Sequence, residues 1–378
     1  MADISIGASA NAPAITGFRN IQFVAALGDH SATFINAVPL STRGGASGNQ
    51  FRVNAPTDVN PTRLWPAIVE FFAGFAIAWI ERGPNLGPNV KIRIFDADTF
   101  SPGDEIQVNA APVDSNQPPA LARLSDGGFV LVWADARPDQ RIRVQRFDRL
   151  GGRIGPDFRA DSVAGLHRRP VVAGLANGLF VIGWLARRVS QPQQVRFQIF
   201  DANAAPVGGE HGLDGGATMA AVTALDTGRF VIAHVRNAAD GEVLDKSVVE
   251  VNVFEPTGAA SGSATEVTGE QAILSDWPTL APLPGGRFLV AWTQGGTAPA
   301  PALPNIKAKI FSDTQGPLGQ TSQLNTTTTG MRFSLCAASV SGVGAGGTVY
   351  VAWASQDSGV ADTAVFGTAF PIPDAGFP

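Results

Sequence analysis

The chain has 378 residues, 44% hydrophobic and 16% charged, with 43 Gly, 27 Pro and a net charge of −5. That hydrophobic share excludes a disordered chain and supports a large core; so many Gly and Pro exclude a helical protein, and without a Gly-X-Y period they do not make collagen. The mild negative balance leaves no electrostatic footprint for nucleic acid, and a single Cys, Cys336, excludes a disulfide framework or a cysteine-based metal cluster.

In chain order, the opening Met1-Ala2-Asp3-Ile4-Ser5 has neither a basic n-region nor an apolar h-region, so no signal peptide is expected. Residues 3–8, Asp3-Ile-Ser-Ile-Gly-Ala8, resemble the later strand-like run Asp104-Glu-Ile-Gln-Val-Asn109. The most apolar stretch, Pro66 to Ile80, is 15 residues long and contains Glu70 and Gly74. It is too short to span a bilayer and reads as two consecutive strands.

A pattern of Phe, three mostly apolar residues and Trp then recurs. It stands as Phe75-Ala-Ile-Ala-Trp79, Phe129-Val-Leu-Val-Trp133, Phe180-Val-Ile-Gly-Trp184 and Phe288-Leu-Val-Ala-Trp292. Weaker copies end at Leu27, His234 and Trp353, so the last positions are separated by 52, 54, 51, 50, 58 and 61 residues. A Pro lies nine or ten residues before the Phe in five copies, at Pro13, Pro66, Pro119, Pro170 and Pro278. After the Trp comes a variable loop, then a run ending in Phe, such as Val90-Lys-Ile-Arg-Ile-Phe95 or Val195-Arg-Phe-Gln-Ile-Phe200. Alternating polar and apolar positions mark several of these runs as half-buried strands. A Gly-containing turn and a last short strand close each unit, as in Phe51-Arg-Val-Asn54.

Four strands per copy and seven copies predict an all-β, seven-bladed β-propeller of four-stranded antiparallel blades. The expected limits are one domain over 1–378, with blades at roughly 12–54, 65–109, 118–161, 169–214, 219–268, 277–325 and 335–370 plus 3–8. The seventh copy lacks a fourth strand, so the N-terminal segment is expected to complete the last blade and remove an exposed edge. Five of the seven Trp (79, 133, 184, 292 and 353) are expected as wedges between blades, and His234 as a core substitution with a hydrogen-bond partner.

The unit Gly127-Gly-Phe-Val-Leu-Val-Trp133, followed by Arg143-Val-Gln-Arg-Phe-Asp148, resembles a repeat of about 50 residues found in large secreted bacterial proteins, often beside calcium-binding RTX nonapeptides. Gln323-Leu-Asn-Thr-Thr-Thr-Thr-Gly330 is similar to the segment between those repeats. That resemblance implies a propeller, adhesion or surface binding, and an extracellular or cell-surface location in a bacterium. The Gly-Gly-x-Gly-x-Asp nonapeptides themselves are missing here. A more distant likeness is to seven-bladed lectins, whose Asp-x-Asp-x-Asp-Gly loops are also missing.

Chemistry is sparse. Ser125-Asp126-Gly127-Gly128-Phe129 does not meet the Asp-box spacing of sialidases, and the one Tyr, Tyr350, falls inside a buried strand. His30, His167, His211 and His234 stand singly, with no metal-ligand spacing. Gly342-Val-Gly-Ala-Gly-Gly347 matches a dinucleotide fingerprint by letters, but it precedes a strand instead of opening a helix and reads as a turn insertion. Asn325-Thr-Thr327 reads as an inert sequon. No cofactor and no metal site are read from the sequence.

The variable loops after the Trp and the loops leading into each first strand share one face of a propeller, and function on a rigid scaffold concentrates on such loops. Trp65 and Trp277, outside the wedge slot and each just before the Pro of a first strand, are placed at that face. Either could stack on a sugar or anchor a protein partner, or simply cap its blade. Arg137, Arg169, Arg187 and Arg236, with Asp135 and Asp240 nearby, gather on the same face, as forks for acidic ligands or as a solvated salt-bridge rim. These eight residues are the candidate ligand-binding set. The leading expectation is a non-catalytic module that binds carbohydrate or a surface protein. The alternatives are a structural or assembly component of a bacterial surface or phage-like particle, and then a propeller hydrolase or lyase.

Overall fold

A computed structural model of the chain describes residues 3–7, 10–19, 22–29, 31–57, 61–83, 86–136, 140–188, 192–213, 216–237, 247–268, 275–295, 304–326, 331–340, 347–356, 363–372 and 377. These form seven four-stranded antiparallel sheets, and the only helical element among them is a single turn at Ala176–Gly178. Blade 3 shows the plan: Ala120–Arg123, Phe129–Ala134, Ile142–Phe147 and Arg153–Arg159 follow one another from the axis outwards. The other innermost strands are Ala10–Phe18, Thr62–Phe71, Leu166–Gly174, Ala217–Ala224, Ser275–Leu283 and Met331–Val340. Each touches the innermost strand of the next blade, all the way round. The chain is a seven-bladed propeller. None of its described helices is long and apolar enough to cross a membrane.

Closure is as the two chain ends suggest. Ile4–Gly7 pairs antiparallel with Ala364–Pro371, matching Ile4 to Gly367, and so supplies the outer strand of blade 7. At the other terminus Phe377 is buried against Phe370, and its carbonyl accepts the Gln320 N–H (3.0 Å) from the outer strand of blade 6.

The core is divided into seven apolar clusters, one between each pair of neighbouring blades. Five are filled by Trp79, Trp133, Trp184, Trp292 and Trp353, none more than 2% exposed. The period-two strands put alternate side chains on the two faces of each blade, and the bulky indole fills the wedge that two twisted sheets leave. Two interfaces have no such Trp. Between blades 4 and 5, Phe197 packs on Phe254 (4.8 Å between centroids) and Phe230 (5.7 Å). Between blades 7 and 1, Phe23 meets Tyr350 at 5.4 Å, and the buried Tyr350 hydroxyl donates to the Gly44 carbonyl at 2.7 Å. His234 is buried as expected, but the expected hydrogen bond is not made. Its Nε2 lies 3.5 Å from Glu250 Oε2, and burial holds the imidazole below its ordinary pKa, with Glu250 opposing and Arg236 adding to the depression.

Two features differ from the sequence expectation. The fourth strand is only two residues long in blades 1, 2 and 5. There a side-chain clamp replaces the ladder. Asn54, Asn109 and Thr268 each accept the N–H of the residue 19 positions earlier, at the start of the third strand, at 2.9, 2.7 and 3.4 Å. Asp161 and Asn325 repeat the clamp at 2.9 and 2.7 Å in blades whose outer strand is longer. Burial pushes the Asp161 carboxyl up, but the His167 ring, the Ile142 N–H and the Arg141 guanidinium outweigh it and leave it below its usual range. Second, whereas the inner strand of blade 3 begins after Pro119 as expected, those of blades 1, 2, 4 and 6 do not begin after the repeat's Pro. They start upstream and carry a register shift across it, as between Leu64 and Ala67 or Asp276 and Thr279. Pro has no N–H for the ladder, so the strand bulges there.

Candidate functional site

The bulge builds the candidate site. In five blades the residue before the repeat's Pro position, or its equivalent, has a left-handed backbone: Ala12 (φ 44°), Trp65 (57°), Arg169 (49°), Trp277 (52°) and Ser334 (51°). A residue ahead of Pro ordinarily favours extended backbone, and a bulky side chain at positive φ is uncommon, so the sheet must hold this conformation in place. The start of each inner strand pairs with the end of the second strand, as Leu166 does with Arg187, so the bulges share the face of the loops that follow the Trp.

At that end of the channel lies a cavity of about 190 Å³. Trp65, Trp277 and Arg169 line it, together with Ala12, Asn116, Pro118 and Ser334. The two indoles come from blades 2 and 6, nearly opposite each other in the ring, and the guanidinium comes from blade 4 between them. The indole N–H of Trp65 donates to the Ser115 carbonyl at 3.3 Å. Arg169 lies over the Trp277 ring, 5.6 Å from its centroid, and its Nη1 contacts Met219 Sδ at 2.9 Å. Its backbone N–H donates to Gln117 Oε1 (3.1 Å). Residues 114–118 therefore hold both sides of the cavity, and Asp114 is itself fixed by Gln140 Nε2 at 2.7 Å.

Burial holds the Arg169 guanidinium below its usual pKa, with Asp276 opposing the shift. Burial likewise pushes the Asp276 carboxyl up, although the Trp277 N–H donates to its Oδ1 at 2.9 Å and Arg169 attracts it. A site that disfavours charge on both partners is poorly solvated, and in such a site an electrostatic contact is strong.

Of the six candidates among the described residues, Trp65, Trp277 and Arg169 line the cavity, whereas Asp135, Arg187 and Arg236 do not. Asp135 is a correction: it is 1% exposed, and its Oδ1 accepts the Arg141 N–H (2.9 Å), closing the hairpin instead of facing a ligand. Arg236 follows the second of its two expected readings: Glu250 at 2.7 Å and Glu266 at 3.9 Å hold it to its own blade as a salt-bridged rim. Arg187 is exposed at the end of Phe180–Arg187 and is not among the residues that line the cavity. Arg137, Asp240 and His30 lie outside the described residues, as does most of Gly342–Gly347. Asp276, Asn116 and Met219 were not singled out by sequence. For Met219 the signal was present, since it occupies the slot before Ala220 that Trp65 holds before Pro66. Among the described residues no group of three or more His, Cys, Asp or Glu could hold a metal ion. Tyr350 is fully buried.

The chain matches no protein-family model and no curated protein. Solved structures share its fold. A polysaccharide lyase of the ulvan lyase family PL25 superposes with a TM-score of 0.60 at 9% identity, over 98% of this chain and 95% of that one. The propeller domain of the trilobed protease from Pyrococcus furiosus gives 0.53 at 12% identity, covering 98% and 100%. The Aleuria aurantia lectin, in complex with Fucα1-6GlcNAc, gives 0.50 at 11% identity, covering 85% and 97%. At such identities the likeness is one of fold.

Proposed function

We propose that the protein is a carbohydrate-binding module whose site is the cavity at the loop-rich end of the channel, acting outside the cell or at a bacterial surface. The observation that carries this reading is the convergence of Trp65 and Trp277 from nearly opposite blades on one small cavity, with Arg169 between them. A pyranose ring has apolar C–H faces and polar edges, and an indole offers the matching apolar face while the guanidinium supplies donors. Rigid inner strands fix all three groups, so little ordering is left to be done on binding. The lyase-like and lectin-like neighbours lend support only in that the same scaffold carries glycan chemistry in other proteins.

The test is a glycan array followed by calorimetry on the best ligand. Trp65→Ala and Trp277→Ala are each expected to weaken binding at least about tenfold, or 1.4 kcal/mol, with the circular dichroism spectrum unchanged. A glycan that binds equally well to both variants would place the site elsewhere.

A further inference from the structure

Resting on that reading of the cavity, we infer that its sugar carries an oxyanion, a carboxylate or a sulfate ester, received by the Arg169 guanidinium. Arg169 presents five N–H donors. Its side chain spends one on the weak acceptor Met219 Sδ, and its Cζ lies over the Trp277 ring, 5.6 Å from the centroid. No carboxylate among the described residues forms an ion pair with it, and Asp276 acts on it only as a nearby charge. Three other arginines of this rim have side-chain partners. Arg236 is tied to Glu250 and Glu266, and Arg188 reaches Glu210 at 3.8 Å. Arg168, next in the chain, gives its Nε to Gln140 Oε1 at 3.2 Å.

A guanidinium that is partly buried beside an indole and has no ion pair among the described residues leaves a charge that the described scaffold does not neutralise. Its planar fork matches an oxyanion bidentately, and such charge-assisted bonds are roughly twice as strong as neutral ones. Met219 and Trp277 sit against the guanidinium, so an anion on a sugar at Trp65 or Trp277 meets donors already at the cavity. A neutral sugar would leave the guanidinium uncompensated.

The experiment compares three probes by calorimetry at low salt: methyl glucuronide, glucose 6-sulfate and methyl glucoside. At least one anionic probe is expected to bind tenfold or more tighter than the neutral glucoside, and which one does so identifies the carboxylate or the sulfate as the group received. Arg169→Gln should collapse that ratio towards one, Arg169→Lys should keep part of it, and 1 M NaCl should shrink it in the unaltered protein. Equal affinity for the three probes, with binding still lost in Trp65→Ala, overturns the oxyanion inference while leaving the carbohydrate reading intact. A preference that survives in Arg169→Gln overturns it too. Absence of binding by any of the three, together with an empty glycan array, overturns both.

Discussion

His234 shows what one residue can cost. It occupies the slot that Trp fills in five blades, yet it is too small to wedge and too polar to be buried without loss. Burial keeps its imidazole neutral, below the ordinary 6.5, despite Glu250. The unfolded chain therefore takes up this proton first as the pH falls, and stability declines from about pH 6.5 downwards until the folded pKa is reached. We expect the urea midpoint to drop between pH 7 and pH 5 and to drop less in His234→Phe; parallel curves for the two proteins would refute the assignment. The contrast between Arg169 and Asp135 marks the limit of reading single residues. Both are charged and both sit near the ligand face in sequence. What separates them is a local partner: the backbone N–H of Arg141 donates to Asp135 Oδ1, whereas Arg169 forms no ion pair among the described residues. A letter in a sequence does not carry its hydrogen bond, so Asp135 read as a ligand residue when it is a hairpin latch. Trp65 and Trp277 were legible because each breaks the repeat at the same offset, immediately before Pro.

At the level of elements, the three inner strands of each blade follow from the Phe and Trp spacing because burial on both faces demands near-continuous apolar runs. The fourth strand is less legible, since its outer side meets solvent and a side chain can stand in for the ladder. The clamp at Asn109 is such a substitute. Its Oδ1 takes the Val90 N–H, while its Nδ2 donates to the Ala111 carbonyl at 2.8 Å. Asn109→Ala would leave a buried N–H unpaired and should cost about 1–3 kcal/mol, measured as a lower urea midpoint with an unchanged m-value. A variant as stable as the parent would mean that water or the neighbouring backbone replaces the clamp. The bulge at the first strand was hidden for a different reason. Sequence rules send a residue before Pro to extended backbone, and only the ring of inner strands holds Ala12, Trp65, Arg169 and Trp277 in the left-handed region.

For the whole molecule, seven copies and complementary ends were enough to foresee the ring, because an open stack would expose an unpaired strand at each end. Removing residues 1–7 should uncover the edge at Ala364–Pro371 and take Ile6 out of the cluster between blades 7 and 1. Light scattering should then show association that grows with concentration, alongside a lower melting temperature; a truncated chain that remains monomeric and equally stable would show the seam to be dispensable. The geometry of that seam also has a mechanical side. Ile4 lies opposite Gly367 and Gly7 opposite Val365, so the leading end of the first strand points the same way as the trailing end of the last. Tension applied through both termini would lift Phe377 from its seat on blade 6 and then peel the two strands apart one hydrogen-bonded pair at a time, like a zip, instead of loading all their bonds together in shear. A molecule tethered at both ends would thus give way first at blade 7, with the six uninterrupted sheets and the Trp65–Arg169–Trp277 cavity still assembled behind it.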